Sequence, residues 1–201
     1  MARFFKNAEP LANSVYGMKL SVLLDRARDH ALPVIANIGD DDLTKPTPCA
    51  DYDVSALLDH LLHVVVEFQK LAVKQDADFS HTPNYPQWRA QFPSETAKLV
   101  DAWGQPGADE GIAGNMQMPA QTVGGLALLD LTIHAWDLAQ ATGQRFEPDT
   151  EVFDEVSNLV TQMGPTAIEW NVFKAPVEPP ADASPMEQLL ARTGRDPRWS
   201  A

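Results

Sequence analysis

The sequence predicts an all-α protein, an up-and-down bundle of four main helices followed by a Pro-rich C-terminal extension and a short final helix. Three observations support this fold class. Apolar residues recur at helical spacing over long segments, no clean run alternates apolar and polar residues, and no Asn-Gly or Asp-Gly hairpin dipeptide occurs. We expect helices at about 12–38, 54–73, 94–103, 120–142 and 149–163, and a last one ending near residue 194.

Several helix ends carry recognisable signals. Asp53 is expected to cap the second helix at its N-terminus, and Gly143 to follow the C-terminus of the fourth. Ser184 and Glu187 form a capping box that opens the final helix. Pro33 should kink the first helix or end it early.

Two loops separate the helices. The segment 76–93 contains prolines and aromatic residues, and 104–119 contains four glycines. We expect the glycine-rich loop to be the most mobile part and to serve as a lid. Neither an internal repeat nor a second-domain boundary is evident, so we expect one domain over 1–201, with a core at about 12–163 and an extension at about 164–201.

Composition limits the classes of binding partner and the cellular compartment that we expect. Lys and Arg number 15 against 28 Asp and Glu, which gives a formal charge of −13. Such an acidic surface repels phosphate backbones and anionic membranes, so we expect neither nucleic acid nor membrane as a partner. The lone cysteine, the polar N-terminal segment and the lack of a long apolar run indicate a cytoplasmic protein.

The fourth predicted helix carries an unusual polar stripe. Apolar residues lie almost all the way round it, as in a helix that is buried on every side. Asp130, His134 and Asp137 nevertheless follow one another at i, i+4 and i+7. Buried carboxylates need a partner, a proton or a metal ion. The one-turn spacing of Asp130 and His134 allows both side chains to bind the same ion.

The second predicted helix supplies a third candidate. His60 lies beside the apolar stripe that includes Leu57 and Val64, so it should point toward the core. His63 falls in line with the charged residues of the same helix, and we expect that face to be wet. Periodicity therefore favours His60 as the histidine that faces the fourth helix.

His60, Asp130 and His134 together would form a three-ligand metal site with open coordination positions. This donor set is typical of catalytic zinc, and it also suits nickel, iron or manganese. The alternative is that both histidines are hydrogen-bonded core residues and that Asp130 makes a polar contact. The residues alone leave both interpretations open.

The sequence resembles a known family in three segments, 47–61, 130–143 and 173–199. The most specific part is the run His-Ala-Trp-Asp-Leu-Ala that begins at His134. This family is the actinobacterial family related to the N-terminal domain of mycothiol-dependent maleylpyruvate isomerase, within the DinB-like superfamily. The resemblance implies a four-helix bundle and a metal bound by a histidine of the second helix and by a carboxylate and a histidine of a later one. These ligands correspond to His60, Asp130 and His134.

This sequence departs from the family pattern in three ways. Asp130 stands where the isomerase-like proteins usually have a glutamate, and Tyr52 where they commonly have a tryptophan. The isomerase has an additional C-terminal domain that this chain lacks, so we do not carry over the isomerase activity itself.

The resemblance implies a metal-dependent thiol transferase or isomerase that uses mycothiol on a small electrophilic substrate. A non-enzymatic module that binds a metal or a small ligand is the alternative, and metal-assisted hydrolysis with Asp137 as the base is a third. Asp137 could instead orient a ligand histidine or pair with Arg145 or Arg195. Cys49 is expected to be buried and inert, and exposed apolar faces leave a homodimer open.

Overall fold

The computed structural model describes residues 18–169 and 172–200, and in them the all-α prediction is confirmed. The helices are α1 (Leu20–Ala36), α2 (Val54–Ala72), α3 (Trp88–Trp103), α4 (Ala120–Ala141), α5 (Thr150–Glu169) and α6 (Pro185–Arg192). A small antiparallel hairpin pairs β1 (Ile112–Ala113) with β2 (Met118–Pro119). None of the helices in these ranges has the length and hydropathy that a membrane crossing requires.

The bundle is formed by α1 to α4. The close neighbours are α1 with α3 and α4, and α2 with α3 and α4, so α1 and α2 lie diagonally opposite each other. Helix α5 packs on α4 and α1, and α6 packs on α5. Helix α4 therefore contacts α1, α2 and α5 at once, which explains why it is apolar on almost every side.

The predicted caps are confirmed. The Asp53 carboxylate accepts a hydrogen bond from the backbone N–H of Ala56 at 2.8 Å, and α2 starts at the next residue. Gly143 has a φ of +69°, and it ends α4. At the start of α6, Ser184 and Glu187 exchange the two hydrogen bonds of a capping box.

One helix start differs from the prediction because tertiary packing outweighs proline. Helix α3 starts at Trp88 rather than at 94, and Pro93 lies inside it. Trp88 and Phe92 are one turn apart and both buried, which offsets the hydrogen bond that the proline cannot donate. Helix α1 ends at Ala36, close to the predicted 38, so Pro33 does not end it early. The predicted start of α1, residues 12–17, lies outside the described residues.

Helix α5 runs beyond the predicted end at 163. It consists of two helical pieces joined at Gly164, whose backbone angles are φ +30° and ψ −114°. Pro165 follows, and its fixed φ suits the first turn of the second piece. The helix end predicted at 163 is therefore a kink between two helical pieces.

The glycine-rich loop 104–119 is attached to the C-terminal end of α2. The Lys74 ammonium donates to the backbone oxygens of Ala108 at 2.6 Å and Glu110 at 2.7 Å. Asn115 exchanges side-chain hydrogen bonds with the backbone of Ala77 at 3.0 and 2.8 Å. His60 lies near the other end of α2, away from these contacts, and a lid role for the loop stays a prediction.

Replacing Gly114 by alanine should destabilise the protein more than the same change at Gly111. Both glycines have positive φ, +42° and +65°, so both alanines are strained by about 1–2 kcal/mol. A Cβ at Gly114 would also collide with the Gln75 carbonyl oxygen, whereas nothing lies within 4 Å at Gly111. We expect Gly114→Ala to cost about 1–3 kcal/mol more in urea unfolding, and equal losses would contradict the close packing.

Candidate metal centre

The three predicted site residues lie together where α2 faces α4. His60 is in the second turn of α2, and its ring centroid is 5.2 Å from that of His134, with the two rings nearly perpendicular. The Nε2 atom of His134 is 3.8 Å from Oδ1 of Asp130, one turn earlier in α4. Two tetrahedral ligands of one zinc ion are about 3.4 Å apart, so this separation suits a shared ion.

His60 is held as a neutral imidazole. Tyr52, in the loop before α2, stacks on its ring at 4.9 Å with an angle of 18° between the planes. Burial, together with the neighbouring His134, lowers the pKa of His60 to about 4. A neutral imidazole has a free lone pair, which is the form that binds metal ions.

Asp130 is a carboxylate without a hydrogen bond in the described part of the chain. Its side chain is 26% exposed, and its nearest polar neighbour is His134. Burial raises the pKa of Asp130, and the attraction of His134 and Arg195 offsets this only in part. The His60 ring likewise has no hydrogen-bond partner among the described residues. Polar groups this deep in a protein usually have a hydrogen-bond partner, so His60 and Asp130 stand out beside His134.

His134 is oriented from its other nitrogen. Nδ1 lies 2.9 Å from Oδ2 of Asp137, a residue three positions later whose side chain is fully buried. Asp137 is ionised, since burial raises its pKa but the Arg195 guanidinium and the His134 hydrogen bond together bring that pKa below the usual range. The carboxylate can then only accept, so Nδ1 carries a proton and Nε2 is the nitrogen that faces Asp130.

Asp137 makes both contacts that the sequence suggested, one with His134 and one with an arginine. Arg195 donates to Asp137 through Nε at 3.3 Å and through Nη2 at 3.0 Å, while Asp137 also accepts from His134. Arg145, the other arginine that the sequence suggested, is 93% exposed and pairs with Glu147.

Cys49 lies closer to the site than the sequence suggested. Its sulfur, a ring nitrogen of His134 and a carboxylate oxygen of Asp137 are all within 4.8 Å of one another. This group does not suit a cation, because the Asp137 oxygens already accept from His134 and from the positively charged Arg195. Burial raises the pKa of the Cys49 thiol to about 11, so it is protonated at neutral pH.

His63 is buried rather than wet, and the expectation of a solvated polar face is wrong. One ring nitrogen lies 2.8 Å from the backbone oxygen of Asp78, and Phe79 packs against the ring. Glu67 on the same face is also buried, and it accepts from the backbone N–H of Asp78. The segment after α2 folds back over this face, which no periodicity in α2 could reveal.

Two surface clefts lie away from this site. One runs between the end of α1 and the segment after α4, around His30, Asn37 and Phe146. The other lies between α6 and the Pro-rich segment around Pro179. Neither includes His60, Asp130 or His134.

The donor set fits a divalent metal ion. It comprises one neutral imidazole, one imidazole whose Nδ1 proton is held by Asp137, and one carboxylate without a hydrogen bond in the described residues. Three protein ligands of these types leave a fourth position open, as in catalytic zinc sites. Their role as ligands stays a prediction.

Alkylation of Cys49 tests the environment of the site. With its pKa near 11, the folded protein should react with iodoacetamide at pH 8 about 100-fold more slowly than a free thiol, and the rate should rise up to about pH 11. Cys49 is the single cysteine of the chain, so mass spectrometry gives the rate directly. The same protein in urea is the control, and equal rates in both states would contradict the burial.

Comparison with known proteins identifies the family. Two proteins of Mycobacterium tuberculosis, both uncharacterized, come from strains CDC 1551 / Oshkosh and ATCC 25618 / H37Rv. Each is 27% identical to this chain over 191 residues, 86% of this chain and 96% of the relative. No solved structure matches the chain. The sequence profile described as Mycothiol maleylpyruvate isomerase N-terminal domain matches residues 24–139, which include His60, Asp130 and His134. The chain therefore belongs to the mycothiol maleylpyruvate isomerase N-terminal domain family.

Proposed function

We propose that the protein binds a divalent metal ion through His60, Asp130 and His134 and catalyses a transfer or isomerisation reaction between a low-molecular-weight thiol and a small electrophilic substrate. The observation that carries the proposal is that His60 and Asp130, which have no hydrogen bonds in the described residues, both lie beside His134. The rings of His60 and His134 are 5.2 Å apart, and Nε2 of His134 is 3.8 Å from Asp130. Family membership suggests mycothiol as the thiol.

Each ligand has a separate structural support. Tyr52 stacks on one face of His60 and restricts the rotation of its ring. Asp137 holds His134 through Nδ1, which is the usual arrangement behind a metal-bound histidine. Asp130 comes from the same helix as His134, so α4 fixes their spacing without any loop. A site on rigid helices keeps its geometry during turnover.

A divalent metal bound there would lower the pKa of a coordinated thiol, as it lowers that of bound water. The chain contributes the orientation of the two imidazoles and a carboxylate that balances the positive charge. Cys49 is not the reacting thiol in this proposal, because burial keeps it protonated. A reduced thiol co-substrate fits a cytoplasmic location, which is part of the same proposal, as is a single domain over the whole chain.

Metal content is the first test. We expect close to one equivalent of zinc, nickel, iron or manganese in the purified protein, and its loss in His60→Ala and in His134→Ala because each change removes one of three ligands. Elemental analysis gives the stoichiometry, and circular dichroism checks that the variants are folded. His81→Ala is the matched control, since His81 is exposed and outside the site. A parent protein that stays metal-free after incubation with these ions would end the proposal.

Thiol dependence is the second test. The metal-loaded protein should accelerate conjugation of mycothiol to a chromogenic electrophile such as chlorodinitrobenzene, and Asp130→Ala should lose this acceleration at least 100-fold, because it removes the anionic ligand. Glutathione and coenzyme A, compared at equal concentration, report the preference for the thiol. Chelation followed by reloading with zinc serves as the control for the metal.

A folded, metal-loaded protein that turns over no thiol would favour the other candidate, a non-enzymatic module that binds a metal or a small ligand. An enzyme and a non-enzymatic module would both contain the metal and would differ only in thiol turnover. The metal content therefore has to be measured before the activity assay.

A further inference from the structure

We infer that Arg195, which lies in the C-terminal segment outside the residues matched by the family profile, is a positioning residue of the metal centre. Arg195 donates two hydrogen bonds to Asp137, and Asp137 fixes the ring of His134 so that Nε2 faces Asp130. The inference rests on the proposed function for the identity of the metal site, and it adds a part of the chain that neither the family match nor the ligand set includes.

The first step is the burial of Asp137. Its side chain has no exposed area, in a helix that is surrounded by apolar neighbours. A carboxylate there would be strongly destabilising without a counter-ion. Arg195 supplies one with two donors, and its guanidinium spans both carboxylate oxygens. This forked contact fixes the plane of the carboxylate, so Oδ2 is presented to Nδ1 of His134.

The second step is the burial of Arg195 itself. The residue is 8% exposed, although arginine normally keeps its guanidinium in water. The third nitrogen of the guanidinium, Nη1, donates to the backbone oxygen of Thr193 at 3.2 Å. The side chain of Arg195 therefore has one charged partner, Asp137, and otherwise donates only to the backbone of the turn in which it lies.

The third step is the turn that aims Arg195. Helix α6 ends in a Schellman motif, in which the N–H of Gly194 donates to Ala191 at 3.1 Å and the N–H of Arg195 donates to Leu190 at 3.0 Å. Gly194 has a φ of +79°, and a Cβ there would lie 2.7 Å from Cβ of Lys174. Leu189 and Leu190 are buried and anchor the helix. The segment therefore docks as a folded unit, with Arg195 at its tip.

The state of the His134 ring tests the inference without any metal. In metal-free wild-type protein, ¹⁵N–¹H correlation of labelled histidine should show one pattern for His134, with a proton held on Nδ1 by Asp137. In Arg195→Met this single pattern should be lost, because Asp137 no longer has both oxygens fixed. Arg198→Met is the matched control, since Arg198 is in the same segment and pairs with Asp182 at the surface. A folded Arg195→Met protein that keeps the wild-type pattern would overturn the inference.

Metal affinity gives the second readout. We expect the Kd for Zn²⁺, measured by competition with a chelator, to rise about 10- to 100-fold in Arg195→Met, as is usual when the orientation of a ligand histidine is lost. Arg195→Lys keeps the charge but has no fork, and it should fall between wild type and Arg195→Met. If Arg195→Met does not fold, Arg195→Lys is the variant that tests the inference. Wild-type affinity in folded Arg195→Lys and Arg195→Met would overturn the inference.

The two readouts separate this inference from the proposed function. If wild-type protein binds none of the four metals, the proposed function fails, but the ring pattern of His134 still decides whether Arg195 positions it. If metal binds and Arg195→Met changes neither the pattern nor the affinity, the proposed function stands and Arg195 is only a structural counter-ion.

Discussion

The burial of α4 on all sides is the constraint on which the rest of the structure depends. A helix that contacts α1, α2 and α5 leaves little solvent-exposed surface for a charged residue, so its buried polar groups have to be compensated within the protein. Asp137 is compensated by Arg195 and His134. Asp130 has no comparable partner in the described residues, and this difference between two carboxylates seven residues apart distinguishes a structural ion pair from a candidate binding site.

The same constraint explains what could be predicted from the sequence. The polar stripe on an otherwise apolar segment indicated Asp130, His134 and Asp137, and the period of α2 placed His60 opposite them. These inferences need only the geometry of a single helix, so they were accessible without a structure. The caps at Asp53, Gly143 and Ser184 are equally local, and they were confirmed.

What the sequence could not reveal depends on contacts between distant segments. The choice between Arg145 and Arg195 as the partner of Asp137 has no local signal, because both follow glycine-containing turns. The sequence predicts a solvated His63 because it does not show that the segment after α2 folds over this residue. The nearness of Cys49 to His134 likewise depends on the path of the loop before α2. The start of α3 was missed because two buried aromatic residues outweigh a proline.

The docking of the C-terminal segment has a consequence for dynamics. Arg195 and Asp137 are 58 positions apart, and they meet only after the chain has closed a long loop. Helix α6 has eight residues, and it packs mainly on α5 at the edge of the bundle. Short peripheral elements are the first to open in local unfolding, well before the global transition. The contact of Arg195 with Asp137, and through it the orientation of His134, is thus linked to an opening equilibrium that leaves the four-helix core intact. Amide exchange of α6 measures this equilibrium.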